Sequence, residues 1–223
     1  LTYPYCTKLI VQTSSIKSYF SKFIKINKLT IIKNPLAKEL INFRDNTIKK
    51  EQIILSVGRL DPVKNHKLLI EAFAEMSRYN WKIQIVGEGA LHTQLQELIK
   101  TLNIEKSVEL IGSVDCIQDY YNKASIFAFT SNFEGFPNAL IEAMAFGLPC
   151  VSTNCPSGPS EIINDGENGF LIPVDDKNML KRKLEILMAQ PELREKFGSS
   201  AKASTTMFEI KHISEQWQYL VTQ

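Results

Sequence analysis

Residues 53–65 read IILSVGRLDPVKN, and this stretch decides the fold. Its first five positions are apolar except for Ser56, which is typical of a strand buried on both faces of a parallel sheet. Gly58 ends the run, and two cations, Arg59 and Lys64, follow in the same loop. Because an amphipathic stretch begins directly after the loop, the segment predicts a strand, a loop and a helix in succession.

The alternation of apolar runs and amphipathic stretches continues through the rest of the chain. Strands that alternate with helices form a doubly wound parallel sheet, an α/β architecture of the Rossmann-like type. Right-handed crossovers place the loop after each strand along one edge, where the ligands of such sheets bind. We predict strands at 53–57, 82–86, 108–111, 126–130, 150–153 and 169–172, and helices at 68–76, 91–102, 117–123, 139–146, 177–188, 192–204 and 210–220.

The amino-terminal part of the chain follows a different pattern. Residues 5–13 and 29–32 are predicted as short strands, and Ser14 or Ser15 is expected to cap a helix between them. Pro35 ends the second strand because proline has no N–H to donate. We therefore divide the chain into a strand–helix–strand unit at 1–34, a polar linker at 35–51, the Rossmann-like domain at 52–205 and a C-terminal helix within 206–223.

The charge of the chain is unevenly distributed. The net charge is +2 and 44% of the residues are hydrophobic, as in ordinary folded proteins. Residues 1–50 are nevertheless strongly basic, which is typical of a solvated segment or of one that faces an anionic membrane. Because no nucleic-acid motif accompanies them, we exclude a nucleic-acid partner and keep peripheral membrane contact as an alternative. The basic residues are Lys8, Lys17, Lys22, Lys25, Lys28, Lys33, Lys38, Arg44, Lys49 and Lys50, against Glu39 and Asp45.

The cysteines and the length of the apolar runs bear on the compartment. Cys6, Cys116, Cys150 and Cys155 lack the spacing of metal ligands, so we predict reduced thiols and no metal site. No apolar run approaches the roughly 20 residues that span a bilayer. Together these features favour a cytoplasmic location.

The loop after residues 82–86 is short and rich in glycine. It reads Gly87-Glu88-Gly89, and His92 stands where a dinucleotide fingerprint would place its third glycine. The loop therefore predicts a tight turn with room for a ligand. It disfavours a nicotinamide-dependent dehydrogenase.

Two carboxylates flank the entrance of the helix predicted at 139–146. Glu134 lies in the preceding loop and Glu142 lies on the helix. Pro137 suits a first helical turn, whose free N–H groups over 135–139 are able to hold an anion. Carboxylates accept hydrogen bonds from vicinal hydroxyls, as a ribose or hexose ring requires. A capping carboxylate and an exposed helical carboxylate are the structural alternative.

Arg59 and Lys64 place two cations just before the helix predicted at 68–76. Since a helix entrance is itself positive, this combination suits a diphosphate. A solvated charged loop is the alternative that spacing alone leaves open.

These loops together resemble the group 1 glycosyltransferases, family four in the sequence classification, which have the two-domain GT-B fold. The resemblance covers residues 50–185, and the Glu-Gly-Phe-Pro run at 134–137 with Glu142 is its most specific part. The matching segments are 58–60 with 64–65, 87–89, 134–137 with Glu142, 143–151 and 166–171.

The resemblance implies a role for each matching residue. Arg59 and Lys64 are expected to bind the donor diphosphate. Glu134 is expected to contact the transferred sugar, and Glu142 to hold the ribose. The implied catalytic residues are Glu134, Arg59 and Lys64, and the implied donor-binding residues are Gly58, Gly87, Ser113, Val114, Gly135, Phe136, Pro137, Asn138, Ala139 and Glu142.

The resemblance also implies a reaction. Members of the family transfer a sugar with retention of anomeric configuration, and they need no metal ion or cofactor. We expect UDP rather than GDP, hence a UDP-hexose or UDP-N-acetylhexosamine donor. The expected acceptor is a glycan or a lipid-linked glycan in polysaccharide synthesis, reached in the cytoplasm or at the inner face of the membrane.

The chain resembles the second half of such an enzyme. In the family the acceptor domain comes first, and residues 1–34 resemble its last strand–helix–strand, without the histidine that the family usually places in that domain. We therefore expect the chain to bind the donor but to transfer sugar poorly alone; efficient transfer would contradict this. A nucleotide-sugar epimerase, a sugar phosphorylase and a non-catalytic nucleotide-sugar-binding module stay open as alternatives.

Overall fold

Six parallel strands form the central sheet of the chain, a computed structural model of which describes residues 3–76 and 80–222. The strand order is β5-β4-β3-β6-β7-β8, so the expected doubly wound sheet is confirmed. The strands are β3 (Ile53–Val57), β4 (Lys82–Val86), β5 (Val108–Gly112), β6 (Ile126–Phe129), β7 (Cys150–Thr153) and β8 (Gly169–Ile172). The helices around them are α3 (His66–Ala74), α4 (His92–Thr101), α5 (Ile117–Lys123), α6 (Asn138–Ala145), α7 (Lys177–Ala189) and α8 (Pro191–Ser204).

Helices cover both faces of the sheet, and successive side chains of a strand point to opposite faces. Ile54 packs into one hydrophobic cluster, with α3, α4 and α7, while its neighbour Leu55 packs into a second, with α5 and α6. Ile126 and Phe127 divide in the same way on the adjacent strand. The continuous apolar runs of the sequence therefore reflect burial on two sides.

Strand β3 marks the point at which the order of the sheet reverses. It pairs in parallel with β4 on one side and with β6 on the other. The crossovers on its two sides lead in opposite directions, and ligands of such sheets bind in the crevice that forms there, at the carboxyl ends of the strands. Arg59, Lys64 and Glu134 lie in the loops after β3 and β6, while Gly87 and Ser113 follow β4 and β5 at the same edge.

The amino-terminal unit consists of β1 (Leu9–Val11), α1 (Ser14–Phe20) and β2 (Leu29–Ile31), and its two strands pair in parallel. The helix cap expected at Ser14 or Ser15 is instead Thr13, whose extended backbone lets its hydroxyl accept a hydrogen bond from the Ile16 amide at 3.2 Å. Ser14 is engaged elsewhere, because its amide donates to the Glu161 carboxylate at 2.8 Å.

The segment predicted as a linker is packed against the domain. It contains the short helix α2 (Lys38–Asn42), which the sequence analysis missed. Leu36 is buried in the core, and its amide donates to the Phe208 carbonyl at 2.7 Å. Arg44 donates to the Ala145 carbonyl at 3.1 Å. The boundaries at 34 and 51 stay a prediction, but the segment between them is tied to the Rossmann-like domain.

The chain ends in α9 (Ile210–Val221), as predicted. Ile213 is its one buried residue, while Trp217 and Tyr219 are exposed. In the part of the chain that is described, no helix has both the length and the apolar character needed to cross a membrane.

Candidate active site

The loops after β3 and β6 are joined by hydrogen bonds at the carboxyl edge of the sheet. The Asn132 amide donates to the Val63 carbonyl at 2.8 Å, and the Thr130 hydroxyl donates to the Lys64 carbonyl at 3.0 Å. The side chain of Asn65 donates to the side-chain oxygen of Asn132 at 3.1 Å. Two segments that are distant in sequence therefore form one wall of the crevice.

A close ion pair lies on this wall. The Lys64 ammonium is 2.6 Å from the Glu134 carboxylate, and the two side chains are only 20% and 9% exposed. The same ammonium lies 5.5 Å from the centre of the Phe129 ring. Because both charges are largely shielded from water, each is compensated by the other. A ligand that binds one of the two side chains must therefore also supply a partner for the other.

Glycines allow the backbone to pass beneath Lys64. A Cβ atom at Gly58 would lie 3.2 Å from Cγ and Cδ of Lys64, so the lysine stem crosses directly over this residue. Gly87 has a φ of 142°, and a Cβ atom there would overlap the Gly58 carbonyl. The turn predicted at Gly87 is thus present, and it packs directly against the backbone of the loop that carries Lys64.

Asp61 organises the loop, a role the sequence analysis missed. One of its carboxylate oxygens accepts hydrogen bonds from the amides of Val63 and Lys64, each at 3.0 Å. The other oxygen lies 3.1 Å from the Arg59 guanidinium. Arg59 is 80% exposed and is not part of the Lys64–Glu134 pair. The sequence does contain a signal for this turn. An aspartate directly before a proline often accepts a hydrogen bond from the amide two residues further on.

His66 holds the start of the same loop from inside the protein. Its Nε2 lies 3.4 Å from the Gly58 carbonyl, and its Nδ1 lies 3.3 Å from the Ser56 hydroxyl. Since a carbonyl only accepts, Nε2 carries the proton and Nδ1 accepts from the serine. Burial lowers the pKa of His66 to about 4. No role was predicted for His66 from the sequence, yet it is a neutral group that positions the loop.

The entrance of α6 provides part of the predicted anion cradle. Gly135 is exposed with open space where a side chain would stand, and Pro137 is the residue from which the helix starts. The amides of Gly135 and Ala139 make no hydrogen bond within the described chain. The Asn138 amide was expected to be free as well, but it donates to the Phe136 carbonyl at 3.0 Å because the chain tightens before the helix.

Asn138 and Phe136 are instead held by side-chain contacts. The Asn138 side-chain oxygen accepts a hydrogen bond from Asn34 at 3.2 Å. The Phe136 ring lies 6.1 Å from the Phe208 ring, edge to face. The α6 entrance is therefore anchored to the segments on both sides of the Rossmann-like domain.

Glu142 lies in a separate part of the site. It lines a cavity of about 310 Å³ together with residues 34–37, Asn138 and Ile141. The hydroxyl of the fully buried Tyr121 donates to one oxygen of Glu142 at 3.0 Å. Burial raises the pKa of Glu142, and the tyrosine hydrogen bond opposes that rise. Tyr121 was not identified from the sequence, because an aromatic residue in an amphipathic helix is more often simply part of the core.

Ser113 and Val114 follow β5 at the far end of the same edge. Ser113 is exposed, and its amide lies 3.4 Å from the Glu88 carboxylate. Val114 is half-buried and packs against the second hydrophobic cluster. They lie beside the Gly87 turn, whose amide donates to the Gly112 carbonyl at 2.8 Å.

Cations, carboxylates and a helix entrance thus line one edge of a parallel sheet, which defines a Rossmann-like ligand-binding domain. Within residues 3–76 and 80–222, no three His, Cys, Asp or Glu side chains are grouped to hold a metal ion. Residues 38–204 match the family model described as "Glycosyl transferases group 1". The chain belongs to this family, and its fold is that of the C-terminal type of domain in GT-B glycosyltransferases.

Curated relatives extend beyond this chain. An alpha-1,4-N-acetyl-D-galactosaminyltransferase of Campylobacter jejuni, which acts on a diNAcBac-PP-undecaprenol-linked GalNAc disaccharide, is 34% identical over 100% of the chain and 62% of its own length. The amylovoran biosynthesis glycosyltransferase AmsD of Erwinia amylovora is 30% identical over 96% of the chain and 62% of its own length. The chain therefore spans about three fifths of these relatives.

Solved structures share the fold. A TarM mutant from S. aureus, in complex with fondaparinux, alpha-GlcNAc-glycerol and UDP, superimposes with a TM-score of 0.91 at 26% identity, over 100% of this chain and 45% of that one. Anabaena HepE, in complex with UDP and glucose, superimposes with a TM-score of 0.89 at 20% identity over 97% of this chain and 63% of its own, a likeness of fold alone.

Proposed function

We propose that this chain is the donor-binding domain of a retaining glycosyltransferase that uses UDP-hexose or UDP-N-acetylhexosamine. The observation that carries the proposal is the largely buried Lys64–Glu134 pair at the point where the sheet order reverses. Lys64 has the charge to bind a diphosphate, and Glu134 has the acceptors to bind sugar hydroxyls. The UDP in the similar TarM complex supports the choice of nucleotide.

The proposed chemistry is electrostatic. As the glycosidic bond breaks, negative charge builds on the departing diphosphate. Lys64 and the free amides at the α6 entrance stabilise that charge, with Arg59 reaching it from the exposed rim, so no metal ion or cofactor is needed. Glu134 orients the transferred sugar. Glu142 accepts hydrogen bonds from the ribose hydroxyls, with Tyr121 holding the carboxylate in place.

The proposed acceptor is a glycan or lipid-linked glycan in polysaccharide synthesis. The Campylobacter jejuni relative acts on an undecaprenyl-diphosphate-linked glycan, and AmsD takes part in amylovoran synthesis. A second, acceptor-binding domain would bring the acceptor to Glu134. We place the reaction in the cytoplasm at the inner face of the membrane, where the basic residues of the amino-terminal unit meet anionic lipid.

Calorimetric titration of the chain with UDP, GDP and ADP, without divalent metal, tests the proposal. We expect UDP to bind most tightly. Lys64→Ala should weaken that binding roughly 10- to 100-fold, since a charged hydrogen bond contributes about 1.5–3 kcal/mol. Lys67→Ala is the matched control, because Lys67 is exposed on α3 and pairs with Glu71 outside the crevice.

The two variants separate specific contact from general charge. Retained UDP affinity in Lys67→Ala together with loss in Lys64→Ala would support the assignment. Equal affinity of wild type and Lys64→Ala would contradict it. Absence of binding by all three nucleotides would contradict nucleotide binding by this domain on its own.

A further inference from the structure

A groove runs along the edge of the sheet opposite the candidate active site. Its volume is about 520 Å³. Its floor consists of the residues that precede β3, β6 and β7, and one face of α8 forms its wall. Because the strands are four or five residues long, roughly 15 Å of sheet separates this groove from the Lys64–Glu134 pair. The groove is a second concave surface, distinct from the proposed donor site.

The groove is positively charged. Lys50, Arg194 and Lys202 line it, against the single carboxylate of Glu195. Among the described residues, none of these three cations forms an ion pair. Neutral polar side chains, including Gln52, complete the lining. Among the described residues these three cations are therefore without an ion pair, although the charges of Glu192 and Glu195 act on Arg194.

The cations are held in position by the backbone. The Arg194 guanidinium donates to the carbonyls of Leu187 and Met188, at 2.6 and 3.0 Å, where α7 ends. The Lys50 ammonium donates to the Tyr121 carbonyl at 3.0 Å. Carbonyl oxygens fix these side chains without neutralising them. Burial lowers the pKa of Lys50 to about 8, and an anion bound beside it would favour its charged form.

A neighbouring cavity extends the groove along the same edge. It has a volume of about 500 Å³ and shares Lys50 and Gln52 with the first. It adds Lys49 and Lys82, against Glu51. The two cavities together follow the amino ends of β4, β3, β6 and β7, three strand spacings or about 14 Å. That length suits a chain of charged groups better than a single small ion.

We propose that this groove binds a linear polyanion, a chain carrying successive phosphate or carboxylate groups. Five cations against two carboxylates favour such a ligand, and the α8 wall aligns Arg194 and Lys202 along its course. Among the described residues that line the groove, Phe146 is the one aromatic and is 4% exposed, so the groove has no platform on which a nucleic-acid base could stack.

Titration calorimetry of the whole chain with tripolyphosphate, and separately with trigalacturonate, at two salt concentrations tests the proposal. We expect binding that weakens as salt rises. Lys50→Gln/Lys202→Gln should weaken it at least about tenfold. Lys100→Gln/Lys196→Gln removes the same charge, with Lys196 on α8 outside the groove lining, and should stay close to wild type. Lys202→Gln alone, which leaves the Lys50 hydrogen bond intact, should show a smaller loss.

The two ligands identify the source of the negative charge. Binding of tripolyphosphate alone assigns a phosphate-bearing chain, and binding of trigalacturonate alone assigns a carboxylate-bearing one. Equal losses in the two double variants, or no binding of either probe, would overturn the proposal. So would loss of tripolyphosphate binding in Lys64→Ala, because the anion would then occupy the opposite edge. Trigalacturonate carries no diphosphate, so its binding tests the groove whether or not the chain binds a nucleotide-sugar.

Discussion

Lys64 and Glu134 lie 70 residues apart in the chain, and their side chains meet only because β3 and β6 are neighbours in the sheet. In the proposed reaction they bind different parts of the donor. When the diphosphate binds Lys64, Glu134 needs a new hydrogen-bond partner, because a buried carboxylate without a partner costs free energy. A sugar hydroxyl supplies that partner, whereas UDP alone does not. The pair therefore favours the intact donor over the nucleotide product.

Replacement of Glu134 tests this exchange at the scale of one residue. Glu134→Gln removes the carboxylate that competes with the diphosphate for Lys64, so UDP should bind about 3- to 10-fold more tightly. The preference for a UDP-sugar over UDP should fall at the same time. Parallel titrations with both ligands measure the two effects.

Glu142→Gln is the informative comparison for this prediction. It removes the same charge from a residue proposed to contact the ribose, so its UDP affinity should fall. Weaker UDP binding by Glu134→Gln would show that the ion pair does not oppose the diphosphate. Tighter binding in both variants would point to general repulsion by carboxylates.

The site could be predicted from the sequence only where a single loop carries the signal. Arg59, Lys64, Glu134 and Glu142 were singled out because charged residues follow buried strands or flank a helix entrance, and their roles stay a prediction. Tyr121 was missed, since its contact with Glu142 depends on how α5 packs against α6. Such a contact belongs to the tertiary structure and has no local sequence pattern.

At the scale of elements, the strands of the central sheet were predicted to within one residue because each is an apolar run that ends at a loop. The short helix α2 was missed, since five residues are too few to show helical periodicity. Its position depends on distant partners, such as the Asn122 side chain that donates to the Phe43 carbonyl at 2.8 Å.

A glycine in the middle of α8 leads to a prediction at this scale. Alanine normally stabilises an exposed helix interior by about 0.5–1 kcal/mol relative to glycine. At Gly198, however, a Cβ atom would overlap the carbonyl of Gly147 in the loop before β7. We expect Gly198→Ala to lower the free energy of unfolding by about 1–3 kcal/mol, measured by urea denaturation.

The neighbouring Ser199 provides the control for this prediction, because it is exposed on the same helix. Ser199→Ala should leave the free energy of unfolding unchanged or raise it slightly. If Gly198→Ala also left the free energy of unfolding unchanged or raised it slightly, α8 would be able to move away from the loop at little cost.

At the scale of the whole molecule, the sheet separates two surfaces. Its carboxyl edge holds the proposed donor site, and its amino edge holds the cationic groove. The parallel sheet and the edge on which the candidate site lies could be predicted, because alternating strands and helices dictate them. The groove could not, since it forms only where α8 lies across the beginnings of three strands.

The stability of the whole molecule should depend on the protonation of His66. Burial lowers its pKa from 6.5 to about 4, so as the pH falls the unfolded chain binds the proton first. The stability that neutral His66 contributes is therefore complete above about pH 6.5 and is lost as the pH approaches 4. Between pH 7 and pH 5 this loss is about 2 kcal/mol.

Urea denaturation of wild type and His66→Gln at pH 7 and pH 5 measures this contribution. His66→Gln should be less stable at pH 7, because it loses the contacts with Ser56 and Gly58, but its stability should fall about 2 kcal/mol less on acidification. His92→Gln, at an exposed position of α4, should keep the wild-type pH dependence. If His66→Gln lost as much stability as wild type between the two pH values, other groups would cause the acid sensitivity. His66 would then be protonated in the fold at pH 5, and the hydrogen bond that its Nδ1 accepts from the Ser56 hydroxyl would have to be reassigned, because a protonated ring donates through both nitrogens.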